Sequence, residues 1–141
     1  MAKYRSLFLE EATEHLGEMS GALLELEKDS AATGSIDLVF RMAHSIKSMA
    51  ASLGFDSISE LAHRLEDRMQ AIRATGSVSN AEELSLLFRG LEGLEQMVEA
   101  VREHGEAPPP RAELVEALAN APAASAAPSS EAAPQKKKSL S

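Results

Sequence analysis

Phe40-Arg41-Met42-Ala43-His44-Ser45-Ile46-Lys47-Ser48-Met49-Ala50-Ala51-Ser52-Leu53-Gly54-Phe55 decides the fold, because its apolar residues recur at helical steps and a glycine stands where they stop. At about 100° per residue, Val39, Met42, Ile46, Met49, Ala50 and Leu53 fall on one side of a helix, with Asp37, Arg41, His44, Lys47, Ser48 and Ala51 on the other. His44 therefore points away from the core. Ala43, Ser45, Ser48 and Ala51 are short, so a partner's active site has room to approach the ring closely.

Upstream, Leu7, Phe8, Ala12, Leu16, Met19, Leu23 and Leu26 recur at three- and four-residue steps and predict a long amphipathic helix from Ala2 to about Lys28. Residues 29–35 are small and polar and read as a loop, with Ser35 as the cap of the second helix and Gly54 as its left-handed stop. Downstream, Ser57-Ile58-Ser59-Glu60 fits a capping box, and Ile58, Leu61, Ala62, Leu65, Met69 and Ile72 carry a third helix to Gly76. Ser79 with Glu82 repeats the capping pattern. Leu84, Leu87, Phe88, Leu91, Leu94, Met97, Val98 and Val101 make a fourth helix ended by Gly105, and Gly90 and Gly93 weaken it unless another helix packs close there.

After Pro108-Pro109-Pro110, residues 111–120 allow a short fifth helix through Leu114, Val115 and Leu118. Residues 121–141 are an Ala/Pro/Ser mixture with few large apolar side chains, the composition of a flexible linker. The expected fold is all-α: an antiparallel up-down-up-down four-helix bundle with a short fifth C-terminal helix, occupying residues 1–120.

The chain of 141 residues and 15.0 kDa has room for one core. Without cysteine it has no disulfide, thiolate metal site or cysteine nucleophile. A formal charge of −8 disfavours nucleic acid and anionic membrane as partners. No apolar run approaches the roughly 20 residues of a membrane span, and residues 1–11 are charged too early for a signal peptide, so the expected location is cytoplasmic.

If the second and third helices form a hairpin around Gly54-Phe55-Asp56, His44 and Glu66 lie level, each about 15 Å from the turn. By the same count Lys47 lies level with His63. His63 and Glu66 are about 60° apart on their helix, and both avoid the centre of the apolar stripe. Four polar residues are thus expected at one groove. A neutral imidazole attacks phosphorus through an unprotonated nitrogen, and a carboxylate that accepts the other N–H sets the tautomer and makes the attacking nitrogen more basic. Glu66 to Nδ1 and phosphate to Nε2 is the expected arrangement. Lys47 is then placed to bring an ammonium near the phosphoryl oxygens, and His63 to donate a hydrogen bond or tune His44.

A lone His-x-x-Lys on a helix is commonly just a solvated face. His15 and His104 have no such grouping and read as surface residues. Glu60-x-x-His63 is half of a di-iron bundle motif, but no second Glu-x-x-His occurs in the chain, which argues against metal. No nucleotide-binding loop or nucleophile elbow is present, so nothing suggests that the chain itself binds ATP. A non-catalytic helical-bundle adaptor is the alternative reading.

In Phe40-Arg41-Met42-Ala43-His44-Ser45-Ile46-Lys47, Leu53-Gly54-Phe55 and Leu61-Ala62-His63-Arg64-Leu65-Glu66 the chain resembles the histidine phosphotransfer (HPt) domain at the N-terminus of the chemotaxis histidine kinase CheA. The resemblance covers about residues 2–120. It implies that His44 is the phosphorylated histidine, Glu66 its hydrogen-bonded carboxylate, and Lys47 and His63 the flanking polar pair. It also implies a separate CheA-type kinase domain that binds ATP and Mg, and a response regulator of the CheY or CheB kind as receiver. No cofactor is then expected in this chain, and the domain is expected to be monomeric. Arg41, Ser48 and Ala51 are expected to meet the docking partner. Family members usually have glycine where Ser48 stands, and frequently where Ala51 stands, so these side chains are expected to narrow which partner docks.

Overall fold

The computed structural model describes residues 2–120 and places in them α1 (Ala2–Lys28), α2 (Thr33–Ser52), α3 (Asp56–Thr75), α4 (Ala81–His104) and α5 (Ala112–Ala119). Short connections turn α2, α3 and α4 each back along its predecessor. α1 packs on α2 and α4, α3 on α2 and α4, and α5 lies against α3 and α4. The expected four-helix bundle with a fifth helix is the observed fold. The stretch read as a linker, 121–141, lies outside the described residues.

The core is the set of apolar stripes facing inward: Phe8, Met19, Leu23 and Leu26 from α1, Ile36 and Ile46 from α2, Ile58, Leu61, Leu65 and Met69 from α3, Leu87 and Leu94 from α4. Burying one such side chain stabilises the fold by roughly 1.5–3 kcal/mol. Two stripes are rotated from their expected positions. On α2 the buried line is Ile36, Val39, Ala43, Ile46 and Ala50, whereas Met42, Met49 and Leu53 are only partly buried. Ala43 is therefore a core residue and does not widen the approach to His44. Weighting by hydrophobicity favours methionine and leucine, but the seam between two closely packed helices needs small side chains. On α1, Leu7 is exposed, since the stripe runs through Phe8 and Ala12 instead. His15 is half-buried rather than superficial.

The helix starts also differ from expectation. α2 begins at Thr33 with Ala32 before it and no side-chain cap, so Ser35 is already inside the helix. α3 has no capping box either. Gly54 takes a φ of +82°, which lets Phe55 N–H reach back to Ala50 O at 2.8 Å, and α3 starts directly from that turn. Ser59 Oγ instead donates to Lys47 O across the hairpin at 3.2 Å. At α4 the cap is Asn80 rather than Ser79: its Oδ1 accepts from Glu83 N–H at 2.8 Å.

α3 and α5 together explain Gly93 of α4, whereas a Cβ on Gly90 would meet Leu65 and Leu118 only at ordinary contact distances. A Cβ on Gly93 would stand 3.0 Å from Leu61 Cδ2 and 3.1 Å from Leu114 Cδ2, so the side-chain-free surface admits α5. The far end of α5 is held by Arg68, which forms a bidentate pair with Glu83 (Nε–Oε2 and Nη2–Oε1, both 2.7 Å) and donates Nη1 to the carbonyls of Ala117, Leu118 and Asn120. Both charged groups are buried. Replacing only one partner leaves an uncompensated buried charge, so Glu83→Ala is expected to lower unfolding free energy by about 3 kcal/mol or more in urea titration and to speed amide exchange in α5 first.

Candidate functional site

The α2–α3 seam places the polar residues. Ala43, Ala50 and Ala62 are fully buried there and let the helices approach, while the residues at the edge of the seam face each other across it. His44 Nδ1 lies 2.5 Å from Glu66 Oε2, and Lys47 Nζ lies 2.6 Å from Glu66 Oε1. Each carboxylate oxygen thus has its own partner from α2. The side chains of His44, Lys47 and Glu66 are 56%, 26% and 10% exposed, a gradient from open ring to buried acid.

Ionised Glu66 only accepts hydrogen bonds, so a neutral His44 ring carries its proton on Nδ1. Nε2 then holds the free lone pair at the other edge of an exposed ring. Burial acts to raise the Glu66 carboxyl, but hydrogen bonds from Lys47 and His44, with the charges of both, outweigh it and hold the group below its ordinary value of 4.5. The acceptor is therefore ionised at neutral pH.

His63 stands beside Glu66 at the groove, but its side chain pairs within its own helix. Its Nε2 is 3.5 Å from Asp67 Oδ2 on its own helix, and Lys47 passes it by to reach Glu66. The long lysine chain gains more by neutralising a buried carboxylate than by meeting an exposed imidazole. His63, Glu66 and Asp67 do bring one donor atom each within 4.8 Å of one another, though both Glu66 oxygens are already engaged by α2. Arg41 donates Nε to Asp37 Oδ2 at 2.8 Å. Arg73 approaches Asp37 Oδ1 at 3.4 Å, with its guanidinium 4.4 Å over the Phe40 ring.

Ser48 and Ala51 are exposed. Ser48 borders an apolar cleft with Tyr4, Leu7, Met49 and Leu53, in which Tyr4 and Leu7 are unusually open for such large side chains. Among the residues not foreseen, Asp37 was readable from its four-residue spacing to Arg41. Arg73 was not, because only the packing of α3 on α2 brings it to Asp37. His104 is exposed, with Glu103 at 3.8 Å.

The sequence pattern of the family described as Hpt domain matches residues 3–104. The chain belongs to the Hpt domain family. It is 35% identical over 106 residues to the chemotaxis protein CheA of Bacillus subtilis and 31% identical over 106 residues to that of Halobacterium salinarum, in each case over 75% of this chain. Those 106 residues are 16% of each relative, so the chain corresponds to a small part of their length. Among solved structures, the solution structure of the histidine phosphotransfer domain of CheA is 30% identical with a TM-score of 0.67, covering 75% of this chain and 80% of that one. The CheA phosphotransferase domain from Thermotoga maritima is 31% identical with a TM-score of 0.66, covering 71% and 95%. The phosphorylated P1 domain of CheA3 in complex with CheY6 from R. sphaeroides shares the fold at 22% identity, with a TM-score of 0.75 over 84% and 94%. This Hpt domain is thus related in sequence and fold to those of chemotaxis proteins. No helix among its described residues is long and apolar enough to cross a membrane.

The lowered Glu66 value has a sign that can be tested. A carboxylate favoured by the folded state contributes its full stability above the unfolded value of 4.5, and loses it as pH falls through the lower folded value. Wild type should therefore exceed Glu66→Gln in stability at pH 7, and the gap should narrow below about pH 4.5 in urea midpoints measured across pH.

Proposed function

We propose that this domain carries a phosphoryl group on His44 Nε2 within a chemotaxis phosphorelay. A separate CheA-type kinase domain binds ATP and Mg and presents the γ-phosphate. Nε2 attacks phosphorus, the N–P bond forms, and the bond to the ADP oxygen breaks. The ring becomes an N-phosphorylated imidazolium whose positive charge is balanced by Glu66 through the Nδ1 hydrogen bond. In the second step an aspartate carboxylate of a CheY/CheB-type receiver attacks phosphorus and the Nε2–P bond breaks. Because Nδ1 keeps its proton throughout, the ring departs as neutral imidazole, a better leaving group than the imidazolate it would otherwise be.

The observation that carries this reading is the 2.5 Å contact of Nδ1 with a buried carboxylate on a ring that is 56% exposed. A purely structural histidine has no need of an open second nitrogen. The relatives' names support the chemotaxis setting, and the R. sphaeroides complex, in which a phosphorylated P1 domain is bound by CheY6, supports a receiver as partner. Arg41, Ser48, Ala51 and the apolar cleft beside Ser48 form the surface offered to these partners. One copy of the domain contains the whole histidine–carboxylate pair, which is compatible with action as a monomer, and the proposed setting is the cytoplasm, where ATP and receivers are found. His63, held by Asp67, adjusts the field at the edge of the site rather than touching the reacting nitrogen.

Two substitutions test the reading. His44→Gln should abolish acid-labile label from ATP and a CheA-type kinase domain while leaving the circular dichroism spectrum unchanged. Preserved signalling in that variant would instead make the domain an adaptor. Glu66→Gln should slow labelling by roughly tenfold or more without eliminating it, since an amide oxygen still accepts from Nδ1–H but carries no charge. Equal rates for wild type and Glu66→Gln would remove the carboxylate from the mechanism.

A further inference from the structure

Two cations flank His44 at one helical turn, Arg41 before it and Lys47 after it, and their surroundings make them unequal. Lys47 is 26% exposed and its Nζ stands 2.6 Å from an oxygen of Glu66, whose other oxygen holds the His44 ring. Turning this ammonium outward to a phosphoryl group would leave Oε1 of a buried carboxylate without its partner, since the ring engages only Oε2. Arg41 is in the opposite position. Its side chain is 60% exposed, its partner Asp37 is 40% exposed, and the bond between them uses only Nε. Both terminal amino groups of Arg41 are without a hydrogen bond among the described residues. Asp37 also has a second guanidinium at 3.4 Å, that of Arg73, itself seated on Phe40, so Asp37 stays paired when Arg41 swings away. Exposed ion pairs of this kind exchange partners at little cost.

Building on the acceptor role of His44, we propose that Arg41 is the residue that receives the non-bridging oxygens of the phosphoryl group at Nε2. Lys47 then serves as the internal counter-ion of Glu66, a positioning residue that acts through the ring's tautomer. This reverses the expectation that Lys47 meets the phosphoryl oxygens. The planar guanidinium offers two parallel N–H groups to two phosphoryl oxygens, and residues three apart on a helix share a face, so the fork lies on the same side as the ring.

A small donor separates this role from partner docking. Phosphoramidate phosphorylates imidazole as Nε2 attacks phosphorus and the bond to the departing ammonia breaks, with no protein partner involved. Label on His44 of the full chain is followed by acid-labile phosphate, and the ring by 15N chemical shifts. Arg41→Ala should lower the initial rate on the order of tenfold while leaving both imidazole 15N signals in place, and Arg41→Lys should recover part of the rate. Lys47→Met should shift the imidazole signals, because Glu66 then loses its counter-ion. If Arg41→Ala takes label at the wild-type rate, or moves the ring signals as far as Lys47→Met does, the assignment of Arg41 is overturned while the acceptor role stands. If wild type takes no label on His44, the acceptor role itself fails.

Discussion

A single buried carboxylate with two donors from the neighbouring helix is the constraint on which this site depends. Glu66 costs desolvation energy where it sits, and the Nδ1–H of His44 with the ammonium of Lys47 more than offsets that cost, so the group is held below its ordinary value. Both donors come from α2, one turn apart, so the arrangement exists only while α2 and α3 keep their spacing and register. Alanines at the seam set the spacing, and the left-handed Gly54 turn sets the register. The Ser59 hydroxyl, bonded to Lys47 O, ties the start of α3 to the turn of α2 that carries Lys47.

α3 serves two purposes through two sides. Glu66 and Arg68 are about 200° apart around the helix, so one faces α2 while the other is drawn into the buried pair with Glu83 and the carbonyl end of α5. An ion pair of this sort contributes little net stability compared with well-packed apolar residues, but it permits one arrangement of α3, α4 and α5 and penalises departures from it. Gly93 of α4 completes that side by lacking the Cβ that would crowd Leu61 and Leu114. A helix fixed on its far side is a suitable mount for a carboxylate whose position decides a tautomer.

The chemistry that follows is economical in protein groups. In the proposed reaction the ring is the nucleophile, Glu66 sets which nitrogen is free, and nucleotide, metal and receiving carboxylate would come with the partners. An exposed acceptor between two helices can be presented to different proteins in turn, which suits a carrier. The exposed Tyr4 and Leu7 beside Ser48 extend the accessible surface away from the ring along α1.

By itself the sequence determined the all-α bundle, the left-handed stop after α2 and the meeting of His44 with Glu66, because these follow from helical periodicity and counting along a hairpin. The close packing at Gly90 and Gly93 was legible for the same reason: two glycines in a helix cost stability unless something fills the space beside them. Only the tertiary structure decided that Lys47 serves Glu66 and not His63, that Arg73 shares Asp37 with Arg41, that Ala43 is core, and that Arg68 anchors α5. These depend on how deeply each group is buried, on which way long side chains bend and on how helices rotate against each other. A one-dimensional pattern does not carry those quantities, since the same lysine at the same spacing would face solvent if its helix turned by a few tens of degrees.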